Sequence, residues 1–466
     1  MAGLSARYAA ALAQCLGAAD PLPRGLCVAL SGGLDSSLLL ALTASLRGAR
    51  RLPALRALHV DHGLHADSAR WSVHCAALAE RLDVPIGILR VDARPAEGES
   101  PEAAAREARY AALRARLDDG EMLLTAHHAD DQLEGVLLQW LRGGGLRAVA
   151  GMAPVRRFGS GWHARPLLGF NRAELATEAA AMGLSWVDDP SNDDRRIDRN
   201  YLRHAVLPAL RTRWPAAART VGRVAAQAAE ALAMEREIAR ADLGLAAEGA
   251  ALVLERLELL PAVRRRWAIR YWLRSLGLPV PSEATLASLE HDVARAADDR
   301  VPCTRWPGAR VHRYRGRLYA ESEALASATL PGGRWVAGTH CDLGPLGRLE
   351  LRAATGRGLS AVRVGAGLER VSRPDGAKFR PANSLHRRPL RKWLQDRGVL
   401  PWRRAQLPLL ALGDEIVAVA DLAVADGWAA GAGEPGWVVE WRDRPPLTTA
   451  DVAAVKLDVT DDDARD

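Results

Sequence analysis

Over the first 190 residues of this chain, short apolar runs alternate with amphipathic stretches. LCVAL (Leu26 to Leu30) has no polar interruption and the length of a buried strand. SGG follows as a turn, and LDSSLLLALTASLR predicts a helix. A second strand runs through LRALHV to Val60, with a helix around Trp71 to Leu82 behind it. PIGILRV predicts a third strand, and Ser100 with Pro101 supplies start signals for a helix ending near Leu117. MLLT predicts a fourth strand and DQLEGVLLQWL another helix. Strand–helix alternation of this kind predicts an α/β, Rossmann-like fold with a doubly wound parallel sheet. Ligands of such sheets sit beyond the carboxyl ends of the strands. The polar clusters SGGLDS, HVDHGLH and TAHHADD each follow a strand, so they should meet on one edge.

Past Pro215 the pattern changes. PAAARTVGRVAAQAAEALAMEREIARADL and PAVRRRWAIRYWLRSLG read as helices with no strand between them. ARVHRYRGRLYAE is β-like, and LPGG at 330 to 333 reads as a linker. The last third mixes short strands and turns, so a helical middle domain and a mixed α+β C-terminal domain are expected.

Composition narrows the function classes. Hydrophobic residues make up 48% and charged residues 26%, as in globular proteins. No apolar run approaches the roughly 18 residues of a membrane span, so no membrane partner is expected. The start, MAGLSARYAAALAQCLG, lacks the features of a secretory signal. Cys15, Cys27, Cys75, Cys303 and Cys341 are widely spaced with no CxxC pair. That argues against a disulfide framework, a zinc ribbon or an iron–sulfur cluster, and for a reducing cytoplasm. Net charge is +7, and lysine occurs only at 378, 392 and 456, so arginine carries most of the positive charge. Between Arg373 and Arg404 ten basic residues meet two aspartates, a net +8 that leaves the remainder near neutral. A local excess of that size points to a polyanion.

Four motifs carry candidate chemistry. SGGLDS, with Ser31, Gly32, Gly33, Leu34, Asp35 and Ser36, joins a strand to a helix. Two glycines let backbone N–H groups form an anion nest, and the helix N-terminus adds partial positive charge. Asp35 would repel phosphate directly but suits a Mg²⁺ ion bridging to it; a helix cap is its alternative reading. The loop is neither GxGxxG nor the lysine-containing phosphate loop. In TAHHADDQLEG, Asp130 or Asp131 could complete a metal site, and His127 or His128 could bind substrate or move a proton. EAAAREARYAAL puts Arg106, Arg109 and Tyr110 on adjoining helical positions, where arginine could neutralise phosphate or a leaving group; a surface helix with Glu–Arg pairs looks the same. HVDHGLH leaves His62 and Gly63 after a strand, where Gly63 permits close approach of a nucleotide or simply makes a turn.

In this order the motifs resemble the PP-loop (N-type) ATP pyrophosphatase superfamily. RPLLGFNRAEL and WVDDPSNDDRRIDRNYLRHAVLPAL (Trp186 to Leu210) narrow the resemblance to the tRNA(Ile)-lysidine synthase family. There the pattern of acidic residue, SN, RN, R and P falls on Asp188 and Asp189, Ser191, Asn192, Arg199, Asn200, Arg203 and Pro208. Similar stretches in the middle and C-terminal parts extend it over most of residues 22 to 425. Two departures stand out. Gly135 follows Glu134 where the family usually has threonine, and LRGGGLRAVAGM replaces the usual Arg-Gly-Ser/Thr-Gly loop.

The resemblance implies three domains: 1–212 for PP-loop catalysis, 213–330 mainly helical for tRNA or substrate, and 331–466 basic for tRNA. It implies ATP and Mg²⁺ as cofactors, with Asp35 and Asp131 on the metal and Arg106, Arg109 and His127 as further catalytic candidates. Partners would be L-lysine and tRNA(Ile) with a CAU anticodon, and a homodimer is left open. Arg199, Asn200 and Arg203 would shape the place of the cytidine; their alternative is a helix salt-bridged to Asp188 and Asp189. Arg387, Arg391 and Lys392, near one face of a helix with Trp393 and Leu394 towards the core, would contact the tRNA body. The implied reaction adenylates O2 of the wobble cytidine, and the ε-amine of lysine then displaces AMP at C2. The alternatives are another PP-loop tRNA-modifying enzyme, for which thiolation would want a site cysteine, and a non-catalytic RNA-binding relative.

Overall fold

The computed structural model describes residues 3–48, 52–63, 67–92, 94, 101–290, 301–335, 340–365, 367–371, 373–374, 376–382 and 384–457. The described residues form two compact units, one running up to Met234 and one starting at Glu235. The acidic residues after Lys456 (Asp458, Asp461, Asp462, Asp463 and Asp466) lie outside the described residues.

Unit 1 is built on a six-stranded sheet. Its elements are α1 (Leu4–Gly17), β1 (Gly25–Ala29), α2 (Leu34–Ser45), β2 (Ala54–Asp61), α3 (Ser68–Arg81), β3 (Ile86–Arg90), α4 (Pro101–Arg116), β4 (Glu121–Leu124), α5 (Ala129–Leu141), α6 (Leu146–Ala150), β5 (Val155–Phe158), β6 (Gly161–Ala164) and α7 (Arg172–Ala181). The order is β3-β2-β1-β4-β6-β5. Strands β3 to β6 in that order run parallel, and only edge strand β5 is antiparallel, to β6. The order reverses beside β1, which puts the ligand crevice beyond the ends of β1 and β4. Leu26 and Val28 on β1 are fully buried and Met122 and Leu124 on β4 likewise, each worth about 1.5–3 kcal/mol of removed apolar surface. The β5–β6 hairpin was not expected; VRRF and GWHA carry too many polar side chains to read as strands. α1 buries Tyr8, Leu12 and Cys15 in the same core, with the Tyr8 hydroxyl 2.5 Å from Thr43 Oγ1. Unit 1 contains no lysine; all three lie in unit 2.

After α7 come α8 (Asp198–Tyr201), a π-helical turn at Leu202–Val206, α9 (Leu207–Arg213) and α10 (Ala217–Ala246), within which the unit boundary falls. Pro208 sits in the first turn of α9, where its missing N–H costs nothing.

In unit 2, β7 (Ala247–Glu248) and β8 (Ala251–Val253) stand between the helices, where no strand was expected. They are two and three residues long, too short for a period to show. With β9 (Cys303–Trp306), β10 (Ala309–Tyr314) and β11 (Arg317–Ser322) they form a five-stranded antiparallel sheet. Its core partners include Ile269, Trp272 and Leu273 of the helix Ala262–Ser275. LPGG does not stay a linker: Leu330 packs against the C-terminal core and Gly333 starts a strand. That core lies between a five-stranded sheet (Gly333–Trp335, Leu368–Val371, Leu409–Leu412, Glu415–Val419, Ala423–Val424) and a four-stranded one (His340–Asp342, Arg348–Thr355, Pro435–Arg442, Leu359–Ser360).

A buried polar cluster crosses unit 2. His312 Nε2 lies 2.9 Å from Glu321 Oε1, Arg403 reaches Glu321 Oε2 at 2.6 Å, and the Trp402 ring stacks on His312 at 4.1 Å. Burial opposes charge on His312, but Cys303 and Glu321 outweigh it and raise its pKa above 6.5. A raised histidine pKa adds stability that is complete below the unfolded-state value and is lost as pH rises through the folded value. The His312 contribution to the stability of unit 2 should therefore decline as pH rises from mildly acidic to alkaline. His312→Gln should flatten that slope in calorimetry at a series of pH values.

Candidate active site

The loop from β1 into α2 is held by its own side chains. Ser31 N–H donates to Ser36 Oγ at 3.1 Å, Ser36 Oγ donates to the Gly33 carbonyl at 3.1 Å, and the two hydroxyls lie 2.9 Å apart. Gly32 has φ +86, and a Cβ there would meet Cys75 Sγ at 3.0 Å and Val187 Cγ2 at 3.1 Å. Both handedness and space therefore call for glycine. Gly33 is the N-cap of α2 with no side-chain cap, and Asp35 sits in the first turn. The open helix end and the turn make a cradle for anions.

α5 starts against this loop. His128 caps it: the Asp131 N–H donates to His128 Nδ1 at 3.3 Å, and Asp131 Oδ2 accepts from the His128 N–H at 3.0 Å. His128 Nε2 lies 3.6 Å from Asp35 Oδ2. Burial opposes charge on His128, yet Asp35, Asp131 and Asp130 outweigh it and raise its pKa. Asp35 Oδ1 is buried with no hydrogen-bond partner among the described residues. An orphaned carboxylate oxygen beside an anion cradle fits a hard divalent cation. The other proposed metal residue is already engaged, since Asp131 Oδ1 receives Arg199 at 2.9 Å and lies 3.6 Å from Arg203. Asp130 is tied to Arg211 at 2.5 Å and to the Arg172 N–H at 2.7 Å.

Arg199 on α8 and Arg203 in the π turn converge on Glu134 of α5. Arg199 Nε lies 2.9 Å from Oε2; Arg203 Nε lies 2.8 Å from Oε1 and its NH2 2.9 Å from Oε2. Glu134 is 1% exposed. Burial would raise its pKa, but Arg203 and Arg199 hold it below the ordinary glutamate range. Carboxylates that pair with these arginines thus include Asp131 and Glu134, 65 or more residues away in the chain. Asn200 is buried and its amide donates to the Asp194 carbonyl at 3.0 Å. The Ser191 and Asn192 side chains lie outside the described residues.

His127 and His163 sit beneath a group of arginines. Thr125 Oγ1 is 2.8 Å from both His127 Nδ1 and His163 Nε2. Burial, then the charges of Arg165, Arg106, Arg199 and Arg109, push the His127 pKa well below its ordinary value. Arg106 and Arg109 of α4 both lie over the Tyr110 ring, at 5.0 and 5.8 Å, so α4 presents them as a cationic face near His127. His62, after β2, has its pKa lowered by burial and then Arg109, and its Nδ1 is buried without a partner among the described residues. Gly63 has φ +63 with open space where a Cβ would be. Leu64 and His65 lie outside the described residues.

Unit 1 thus gathers Ser31–Ser36, Asp131, His127, Arg106, Arg109, Arg199 and Arg203 around one sheet edge. Sequence reading missed Glu134, Thr125, His163 and Arg165 as parts of it. Their signal was weak: Glu134 reads as a helix acid, and His163 and Arg165 follow a strand that was itself not read. The family departures are mild. A Cβ at Gly135 would meet open space, and Gly143 with φ +80 simply turns the chain from α5 towards α6. In unit 2, Arg391 and Lys392 are exposed on the helix Leu390–Asp396, which buries Trp393 and Leu394. Arg387 is exposed but precedes the strand Arg388–Pro389, so it is not on that helix as expected. Arg403 is internal, which removes it from the basic surface.

Among known proteins, the PP-loop domain family matches residues 5–210, the TilS substrate binding domain residues 252–319 and the TilS substrate C-terminal domain residues 368–441. The tRNA(Ile)-lysidine synthase of Alkalilimnicola ehrlichii is 43% identical over 425 residues, 91% of this chain and 94% of its own. Those of Methylococcus capsulatus and Pseudomonas aeruginosa are each 39% identical, covering 84% and 91% of this chain and 90% and 94% of their own. The anion cradle on a doubly wound sheet, the arginine pair from the following helices and agreement along nearly the whole length of curated relatives lead to one assignment: the chain belongs to the tRNA(Ile)-lysidine synthase family.

Proposed function

We propose that this protein joins L-lysine to C2 of the wobble cytidine of tRNA(Ile) bearing a CAU anticodon, using ATP and working in the cytoplasm. ATP is cleaved between its α and β phosphates, and O2 of the cytidine takes the adenylyl group as pyrophosphate leaves. The lysine ε-amine then attacks C2, its proton passes to a base, and the C2–O bond breaks to release AMP. The carrying observation is the 91% coverage at 43% identity with a curated enzyme of this name, joined to an anion cradle on the sheet edge. No helix among the described residues is long and apolar enough to cross a membrane.

Residue roles follow from the chemistry. The Ser31–Ser36 loop receives the phosphates. Asp35 would hold Mg²⁺, with Asp131 the second candidate to hold it, and the ion would neutralise phosphate charge. Arg106 and Arg109 face negative charge that grows on the nucleotide. Arg199 and Arg203, fixed by Glu134, shape the cytidine pocket. The thiolation alternative is not favoured: Cys27 and Cys75 are buried, and burial pushes both thiols up to about 12, so neither offers a thiolate at neutral pH. The separate family matches at 252–319 and 368–441 support the three-part division at 212 and 330.

The reading is tested by mass analysis of the wobble nucleoside after tRNA(Ile) is incubated with enzyme, ATP and lysine. A lysine adduct formed only when all three are present supports it; an unmodified wobble nucleoside with intact enzyme overturns it. The basic surface is tested apart from this. Neutralising Arg387, Arg391 and Lys392 together should lower the log–log salt slope of tRNA binding by roughly 2–3, at about 0.7–0.9 per phosphate contact. Truncation near residue 330 is unsuited to the purpose, because the Ala250 N–H donates to the Val452 carbonyl across unit 2 at 3.0 Å.

A further inference from the structure

His163, Thr125 and His127 form a hydrogen-bonded row at the end of β4 and β6. Arg165 NH2 lies 3.3 Å from His163 Nδ1, His163 Nε2 lies 2.8 Å from Thr125 Oγ1, and Thr125 Oγ1 lies 2.8 Å from His127 Nδ1. The distances alone do not say which way the protons run, but one end of the row does. A guanidinium has only donors, so His163 Nδ1 must accept. The proton of a neutral His163 is then on Nε2, and it donates to Thr125 Oγ1. The threonine hydroxyl has a single hydrogen. Its oxygen could accept twice, but its hydrogen finds no acceptor among the described residues other than His127 Nδ1, so it is donated there. His127 must accept there and carry its own proton on Nε2.

The anchor is firm. Arg165 is 4% exposed, and its NH1 donates to the Ala153 carbonyl at 2.7 Å. Burial lowers its pKa to about 10, so it keeps its charge at neutral pH. His163 is fully buried and packed against Tyr110 and Phe158, each 5.7 Å from its ring centre. Burial and then the charges of Arg165, His127, Arg156 and Arg106 push the His163 pKa well below 6.5, which keeps the relay neutral in its middle.

We propose that Arg165, His163 and Thr125 are positioning residues that fix His127 in the Nε2–H tautomer, so that His127 serves as a hydrogen-bond donor to an oxygen gaining negative charge and not as the base for lysine. The idea rests on the reading of His127 as part of the ATP-dependent site. It goes further in assigning the direction of its proton. The end of β4 lies beside the end of β1, since Val28 pairs with Leu124, so a donor on His127 stands next to the phosphate cradle. A donor of fixed direction there needs no reorganisation as charge develops.

The direct test is the 15N spectrum of the full-length protein labelled at histidine nitrogens and sedimented for solid-state measurement, with His127 assigned through a His127→Gln variant. The expected result at pH 7 is a protonated Nε2 and an unprotonated Nδ1. A proton on Nδ1, or on both nitrogens, overturns the proposal. The kinetic test uses Thr125→Val, which keeps the shape and breaks the row, and Thr125→Ser, which keeps the hydroxyl. Thr125→Val should lower kcat for lysidine formation by about 10–100-fold, the scale of groups that orient a reacting side chain, with KM for ATP and tRNA little changed, and Thr125→Ser should recover most of it. Equal kcat in Thr125→Val and the parent, or a loss confined to melting temperature, overturns it. If the tautomer is as stated yet His127→Ala keeps full activity, the failure belongs to the role given to His127 and not to the relay.

Discussion

Asp35→Ala should abolish pyrophosphate release, by about 1,000-fold or more, while tRNA binding measured by filter retention stays within about threefold. The size follows from what the side chain faces. Asp35 Oδ1 is buried without a partner, while Oδ2 is 3.6 Å from His128. A carboxylate left orphaned beside an anion cradle has no fold-stabilising account, so its removal should cost little stability. Its place in the first turn of α2 is worth at most about 1 kcal/mol through the helix dipole. Losing the carboxylate that would hold a cation opposite the departing anion costs far more in rate. Asp35→Asn separates charge from shape: it should be as inactive as alanine. Undiminished pyrophosphate release in Asp35→Ala would refute the assignment.

Glu134→Ala carries the second large effect, and it is on folding as well as rate. The carboxylate accepts from three guanidinium nitrogens of Arg199 and Arg203. Among the described residues, removing it leaves the two cations with Asp131. Breaking a buried pair costs about 3–5 kcal/mol, and the lower end applies because the arginine side chains keep 28% and 22% exposure and so regain water. At roughly 2–4 °C per kcal/mol for a unit of this size, unit 1 should melt about 6–12 °C lower. The pH dependence has a defined sign. Because the folded Glu134 pKa is lowered, its contribution is complete above the unfolded-state value and is lost as pH falls through the folded value. Glu134→Gln should lose that acid-side slope. Calorimetry over the acidic range would contradict the pairing if parent and Glu134→Gln showed the same slope.

Much of unit 1 was readable because its parallel strands are buried on both faces and so appear as unbroken apolar runs. SGGLDS was readable because a glycine turn between a strand and a helix has few other uses. The β5–β6 hairpin escaped because Arg156, Arg157 and His163 mask an edge-strand pattern. The Glu134 cluster escaped because its members are 65 and 69 residues apart, and sequence spacing carries no sign of such meetings. Arg199 and Arg203 stand one helical turn apart, a spacing legible in the sequence, but their meeting with Glu134 on another helix is not. The extent of the basic surface was overread for a similar reason: nothing in the sequence around Arg403 shows that Glu321 draws it inside.

The absence of lysine from unit 1 has a consequence for chemoselectivity. An adenylated cytidine is an electrophile that any ε-amine within reach could capture. The first 377 residues contain no such amine, and the arginines that supply positive charge instead have guanidinium groups that stay protonated and non-nucleophilic. The scaffold that would present the activated base therefore has no ε-amine capable of imitating the substrate, and capture of the base by a lysine of unit 1 is ruled out by composition. The same property makes unit 1 a quiet background: reagents aimed at a bound lysine amine would meet no ε-amine there except that of the amino acid itself.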